Sequence, residues 1–304
     1  MSWKISILFY FLFASLAYPI VEKINGPEAG MEAVPSALLT DTDSKLPLGK
    51  ASHESFYANL FFPIEVKSLG FSLVPKVDFY HERRHQTEVL NPVLNSGNAM
   101  NSLSTLATGA FFIKEKTASL PEIVIGESRY TGVSVGGGPG SLWETILGAT
   151  FEGLYPELGS GKNETFFGVR WRHYPGFDQF LPLIFKRLSF EDGWYFDVQI
   201  PTHMYLGWIT EDRGWDFFTG PKLSDVQYPH DTSVFQGWMR GTRIDIVLGA
   251  RRNLAGVFYA SLETGIQGDS LTFNRSDGTE ALSMKSSFRP VVRFSLQTWF
   301  DRAP

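Results

Sequence analysis

Apolar and polar side chains alternate along most of this chain, and nothing else in the sequence restricts its fold as tightly. Neighbouring side chains of a strand point to opposite faces, so a period of two residues specifies extended backbone with one apolar face. In 288–300, Phe288, Pro290, Val292, Phe294, Leu296, Thr298 and Phe300 share one face; Arg289, Val291, Arg293, Ser295, Gln297 and Trp299 share the other. The same division sets Phe167, Val169 and Trp171 against Gly168, Arg170 and Arg172, and Trp194, Phe196, Val198 and Ile200 against Tyr195, Asp197 and Gln199. Such runs reach about 8–14 residues, beyond the usual five or six of a soluble sheet. Strands of about 9–11 residues are what a bilayer requires. Full charges such as Arg170, Arg172, Arg289 and Arg293 recur on the polar face, as in a polar lumen, and Trp143, Tyr155, Tyr174, Trp194, Trp215 and Trp299 sit near run ends like interfacial girdles. The pattern predicts an all-β, antiparallel transmembrane β-barrel; a soluble, secreted β-sandwich is the alternative.

Composition agrees. Of 304 residues, 15 % are aromatic and 19 % charged, with Phe 26 and Trp 8, which excludes wholesale disorder. A net charge of −5 offers no basic face to nucleic acid. With Cys 0 there is no disulfide framework, thiolate site or cysteine nucleophile. Residues 1–17 carry Lys4, an apolar core from Ile5 to Phe13 and small residues through Ala17, the layout of a secretory signal peptide cut after Ala17. Residues 18–54 read as a flexible N-terminal lead, 55–300 as the barrel and 301–304 as a short C-terminal tail.

Strand-like runs occur at 55–65, 68–80, 101–114, 127–135, 142–155, 163–174, 180–190, 193–200, 203–211, 214–221, 235–249, 254–267 and 287–300. Thirteen is odd and bacterial barrels are even, so removing 127–135, which runs into Gly136-Gly137-Gly138, leaves about 12 strands, within a range of 10–14. Tight turns are expected at 191–193, 211–214 and 250–253, and a long outer loop at 267–286. The proline-marked segment 180–221, with Pro182, Pro201 and Leu206-Gly207-Trp208, and the terminal Arg293 to Phe300 together resemble a family of uncharacterised Gram-negative outer-membrane β-barrel proteins. The resemblance implies that fold, export to the outer membrane, contact with outer-membrane lipid and insertion by the barrel-assembly machinery. It implies no activity.

His81-Glu82-Arg83-Arg84-His85 matches H-E-x-x-H, in which two histidines one helical turn apart bind zinc. Here it follows the alternating run Phe71–Tyr80 and carries two arginines between the histidines, so a charged loop fits better. Gly136–Ser141 lacks the Lys-Ser/Thr of a phosphate loop, and no G-x-S-x-G elbow occurs. His203, with Ser261, Glu263 or Ser295, is the remaining hydrolytic combination, for a barrel-embedded enzyme acting on lipid or glycan. The polar faces gather Lys76, Asp78, Glu144, Glu152, Arg170, Arg172, Asp197, Arg243, Asp245, Glu263, Arg289 and Arg293, six acids and six bases. A balanced set suits ion pairs across a narrow lumen better than an ion-selective pore. The sequence thus points to a passive structural or narrow-pore barrel, not an enzyme, with no cofactor and no nucleic-acid partner.

Overall fold

The computed structural model describes residues 27–298 apart from 62–63, 67–69, 88–101, 115, 118, 135–139, 153–163, 175–176, 232–235, 256–257, 276 and 278. Sixteen strand segments run β1 (Glu28–Asp41), β2 (Pro47–Phe61), β3 (Ile64–Val66), β4 (Phe71–Thr87), β5 (Ser102–Lys114), β6 (Glu122–Ser134), β7 (Gly140–Glu152) and β8 (Glu164–Tyr174). They continue as β9 (Phe177–Ser189), β10 (Trp194–Ile200), β11 (His203–Ile209), β12 (Trp215–Asp231), β13 (Gln236–Ala255), β14 (Phe258–Arg275), β15 (Glu280–Ser286) and β16 (Arg289–Thr298). Every pairing is antiparallel and most join chain neighbours, β2–β4, β14–β16 and β1–β15 being the exceptions, and β1 closes the ring on β16 through Glu28↔Gln297 to Ala33↔Val292. β3 continues β2 along β4, and β15 and β16 lie end to end between β14 and β1, so the closed barrel has 14 strands.

The apolar face points outward. Leu147, Leu206, Leu248, Leu262 and Phe294 are exposed, whereas charged neighbours one residue along the strand, such as Arg293 and Glu263, face inward. An apolar surface around a closed ring is stable only in an apolar solvent, and closure removes the strand edges that hydrocarbon cannot satisfy. Trp194, Trp208 and Trp215 gather at the end that carries Glu28 and Thr298, called here the near end; Trp208 donates from Nε1 to the Asp192 carbonyl at 2.9 Å.

The wall is uneven. β12, β13 and β14 have 17, 20 and 18 residues, while β10 and β11 have 7 each. β11 meets β12 only as far as His203↔Lys222, and β12 then runs on to Asp231 toward the far end. β12 also comes within 8 Å, Cα to Cα, of β5, β6 and β7 on the opposite wall. The barrel is therefore pinched into two lobes.

Several expectations need correction. Residues 28–54, read as a flexible lead, form β1 and most of β2. The run at 127–135, removed for parity, is β6. Restoring it to the twelve that remained returns thirteen, and β1 makes the 14 of the ring. The turn expected at 250–253 lies inside β13, and the loop expected at 267–286 is a strand hairpin, β14 to Arg275 and β15 from Glu280. The turns at 191–193 and 211–214 are present; the first is a single 3-10 turn with Asp192 at φ 60° and Gly193 at φ 80°. The signal peptide of residues 1–17, the tail at 301–304 and the Trp299-Phe300 ending lie outside the described residues.

Candidate functional site

In the first lobe the inward charges of β4, β13, β14, β16, β1 and β2 form one network. Arg243 on β13 donates from Nη2 to Glu82 Oε2 at 2.5 Å and from Nη1 to Tyr80 Oη at 2.7 Å, both on β4. Along the wall, β14, β16, β1 and β2 separate these two strands, so this bridge spans the lumen. Arg243 also lies 3.3 Å from Asp269 and 3.7 Å from Glu32. Arg293 donates to Asp245 at 2.5 Å and to Glu32, and reaches Glu263 at 3.4 Å. Arg289 bonds Asp269, the Ala51 carbonyl at 2.7 Å and His53 at 3.3 Å, and His53 bonds Glu32 at 2.8 Å. Glu82 and Asp245 are 0 % exposed and Arg243 3 %. Water in an open lumen would register as exposure of these groups, so this lobe is filled by its own side chains. Toward the far end Leu39, Leu48, Met239, Leu271, Phe273 and Met284 close over it as an apolar core.

The second lobe uses the same residue types more loosely. Glu144 on β7 accepts from Arg172 at 2.6 Å and Tyr130 at 3.0 Å, with Arg170 3.6 Å away. Lys76 pairs with Asp78 at 2.6 Å, Lys222 with Glu263 at 3.2 Å, and Asp216 with Arg251 at 3.1 Å and Tyr195 at 2.7 Å. The side chains of Asp78, Arg170 and Lys222 retain 19 %, 18 % and 26 % of their exposure. Buried side-chain atoms without a hydrogen bond occur in both lobes, Asp78 Oδ1 and Arg170 Nε here and Asp245 Oδ1, Asp269 Oδ1 and Arg289 Nε in the first. Arg187 stacks 3.9 Å from the Tyr195 ring and Arg251 3.9 Å from that of Phe218.

Inward rings are seated on glycine. Tyr195 lies opposite Gly207, and Phe218 opposite Gly249. A Cβ at either glycine would fall within the ring. The missing side chain lets each ring lie flat on the wall, which keeps the lumen from filling entirely.

Of the charged residues expected to line the lumen, Lys76, Asp78, Glu144, Arg170, Arg172, Asp197 and Glu263 lie in the second lobe or at its border; Arg243, Asp245, Arg289 and Arg293 meet in the first. Glu152 ends β7 and its side chain lies outside the described residues. Glu32, His53, Glu82, Arg84, Asp216, Lys222, Arg251 and Asp269 also face the interior, beyond the residues that the sequence pattern names. Parity carries the missing signal for one group, because Lys76, Asp78, Tyr80, Glu82 and Arg84 occupy every second position of β4.

The H-E-x-x-H string is extended backbone within β4. Alternation sends Glu82 and Arg84 into the lumen, while Arg83 and His85 are exposed on the other face, so the metalloprotease geometry is not formed. Among the described residues no group of three or more acidic or histidine side chains is placed to hold a metal. His203 lies 3.5 Å from Asp197, stacks on Tyr205 at 4.2 Å and meets Thr202 Oγ1 at 3.4 Å, a different set from Ser261, Glu263 and Ser295.

No protein-family model and no curated protein sequence matches the chain. Among solved structures it is similar to an outer-membrane channel from Pseudomonas putida F1, at 9% identity and a TM-score of 0.39, covering 92% of this chain and 97% of that one. It is also similar to the TodX monoaromatic hydrocarbon channel deltaS2 mutant, at 9% identity and a TM-score of 0.39 over 95% of this chain and 94% of that one. The P. putida toluene transporter TodX matches at 10% identity and a TM-score of 0.30, over 95% and 94%. The 14-strand closure stands on the strand register itself.

Proposed function

We propose that this protein is a passive outer-membrane barrel, held closed at rest by ion pairs and inserted by the barrel-assembly machinery, with its far end outward. The bridge from Arg243 to Glu82 and Tyr80 carries this reading, because it joins opposite walls and its two charged groups are withdrawn from water. The outward apolar face supports the membrane, and the pinch between β12 and β5–β7 supports closure. Any route that opens runs through the second lobe, where inward charges keep some contact with solvent. Balanced charge there gives little preference between anions and cations.

Planar-bilayer recording tests the proposal. The native protein should show small or no conductance. Glu82→Gln with Arg243→Gln removes both charges of the bridge at modest volume change and should raise the conductance. Large, strongly selective channels in the native protein would overturn closure, and detergent-free solubility after refolding would overturn the membrane reading.

A further inference from the structure

The outer face carries a feature that closure does not use. On β2 the outward side chains run Lys50, Ser52, Glu54, Phe56; on β4 they run His85, Arg83, His81, Phe79. Phe56 and Phe79 pack at 6.1 Å and belong to the apolar belt. The polar residues begin immediately beyond them, on the same faces, toward the far end. Two strands away from β2, Lys285 on β15 also points outward, opposite Thr40 of β1. Lys50 stands opposite Leu38 of the same β1 strand and opposite Thr87 of β4. With strands about 4.8 Å apart, Lys285 and Lys50 are on the order of 10 Å apart laterally, and His85 is a diagonal neighbour of Lys50. Lys50, Arg83, His85 and Lys285 are all exposed, and on these four strands the exposed outward carboxylates among the described residues are Glu54 and, at the start of β15 opposite Asn274, Glu280. Among the described residues the outward faces of the same strands at the near end, such as Met31, Ala58 and Val77, carry no such set.

We infer that the outward wall of β15, β1, β2 and β4 is a binding surface for a phosphorylated glycolipid of the outer leaflet, lipopolysaccharide. The inference rests on the outer-membrane reading above. Position selects the occupant: a molecule that touches Phe56 and Phe79 with acyl chains brings its headgroup to the height of Arg83 and Lys50. Charge selects it further, because Lys50, Arg83 and Lys285 outnumber the carboxylates Glu54 and Glu280 on this wall, an excess of cation that suits phosphate groups and not a zwitterionic headgroup. The stems of Lys50 and Lys285 can follow the wall while their ammonium groups reach the phosphates.

The test compares refolded native protein with a Lys50→Gln/Arg83→Gln/Lys285→Gln variant in phosphatidylcholine vesicles with and without lipopolysaccharide. Native protein should bind the glycolipid and gain thermal stability from it. The variant should insert equally well in phosphatidylcholine but bind lipopolysaccharide on the order of 100-fold more weakly, as the loss of three near-surface cations implies. A Lys50→Arg/Lys285→Arg variant should restore binding, and Lys114→Gln with Arg252→Gln, at the near end, should leave it unchanged. Equal binding by native protein and the triple variant would overturn the inference, and so would equal stabilisation by inorganic phosphate alone. Should the native protein fail to insert into either vesicle, the membrane reading falls first; insertion with no response to lipopolysaccharide removes only this surface.

Discussion

Arg243 and Arg170 both point into the lumen from the middle of a strand, and their surroundings differ. Arg243 meets Glu82, Asp269 and Glu32 from three other strands and is 3 % exposed, whereas Arg170 has Glu144 at 3.6 Å, shares it with Arg172, and retains 18 % of its side-chain exposure. The first lobe is curved tightly enough that second-neighbour strands touch through their side chains, as Arg293 of β16 does with Asp245 of β13. The second lobe has second-neighbour bonds too, Tyr195 of β10 with Asp216 of β12 and Lys222 of β12 with Glu263 of β14, beside adjacent ones such as Glu144 of β7 with Arg172 of β8. The first lobe differs by the bridge from Arg243 to Glu82, which passes over four intervening strands. Closure is thus a matter of curvature and of how far each side chain reaches, not of which residue types line the wall.

The sharpest way to break this comparison is to remove one arginine from each lobe. Arg243→Ala leaves Glu82, Asp269 and Glu32 short of a partner in a dry interior and should cost about 3–5 kcal/mol. Arg170→Ala leaves Glu144 with Arg172 and should cost about 1 kcal/mol or less. Urea unfolding from bilayers measures both; equal costs would mean that the two lobes are equally packed.

That contrast was only partly legible in the sequence. Alternation sufficed for the strands because the side chains themselves report which face meets lipid, and β4–β14 each fall on a run that shows it. It failed at β1 for a local reason. The register of β1 against β2 shifts between Val34 and Ala37, so Glu32 and Val34 face inward before the bulge and Ala37 and Leu39 after it. A change of phase at Pro35-Ser36 destroys the period-two signal and makes the strand look like irregular chain. Glu32 was lost with it, and so was the partner of Arg293. The bridge from Glu82 to Arg243 joins residues 161 positions apart. Parity along one strand shows that each faces inward, but only the closed ring decides which of the inward charges meet.

A second experiment tests whether the difference is confined to the interior. Phe294 and Leu147 are exposed on the outer faces of β16 and β7, behind the first and second lobes. Phe294→Arg and Leu147→Arg should each cost about 2–4 kcal/mol near the bilayer midplane, and by similar amounts, because lipid meets the same apolar wall on both sides. The neighbour of Phe294 is a poor inward control: Ser295 is 5 % exposed, so arginine there would overpack the lumen. Gln199, half-buried on β10, is the better one, and Gln199→Arg should be tolerated. A cost at Leu147 far below that at Phe294 would show that the lobes differ on the lipid side as well.

The smallest expected effect lies in the turns that join the two kinds of wall. At the far end, Asp41 accepts from the Ser44 amide at 2.7 Å, the Ser44 hydroxyl at 2.9 Å and the Asp43 amide at 3.0 Å. At the near end, between β11 and β12, Asp212 accepts from the Thr210 hydroxyl at 2.5 Å and the Gly214 amide at 3.0 Å. The Ser44 amide first of all holds the Asp41 carboxyl below its ordinary value of 3.8, and the Thr210 hydroxyl does the same for Asp212. A carboxyl depressed in the folded state stabilises it above the ordinary value and loses that contribution as pH falls through the folded one. Asp41→Ala and Asp212→Ala should therefore each lower stability slightly and uniformly from pH 7 down to about 5, with the difference from native protein shrinking once the pH passes below 3.8. The two turns should titrate alike, since both are solvent-facing whatever the lumen beside them contains. Unfolding curves at a series of pH values decide it: a deficit that persists undiminished in acid would mean that the aspartates shape these turns by fit alone, and a deficit confined to Asp41 would tie turn energetics to the packed lobe after all.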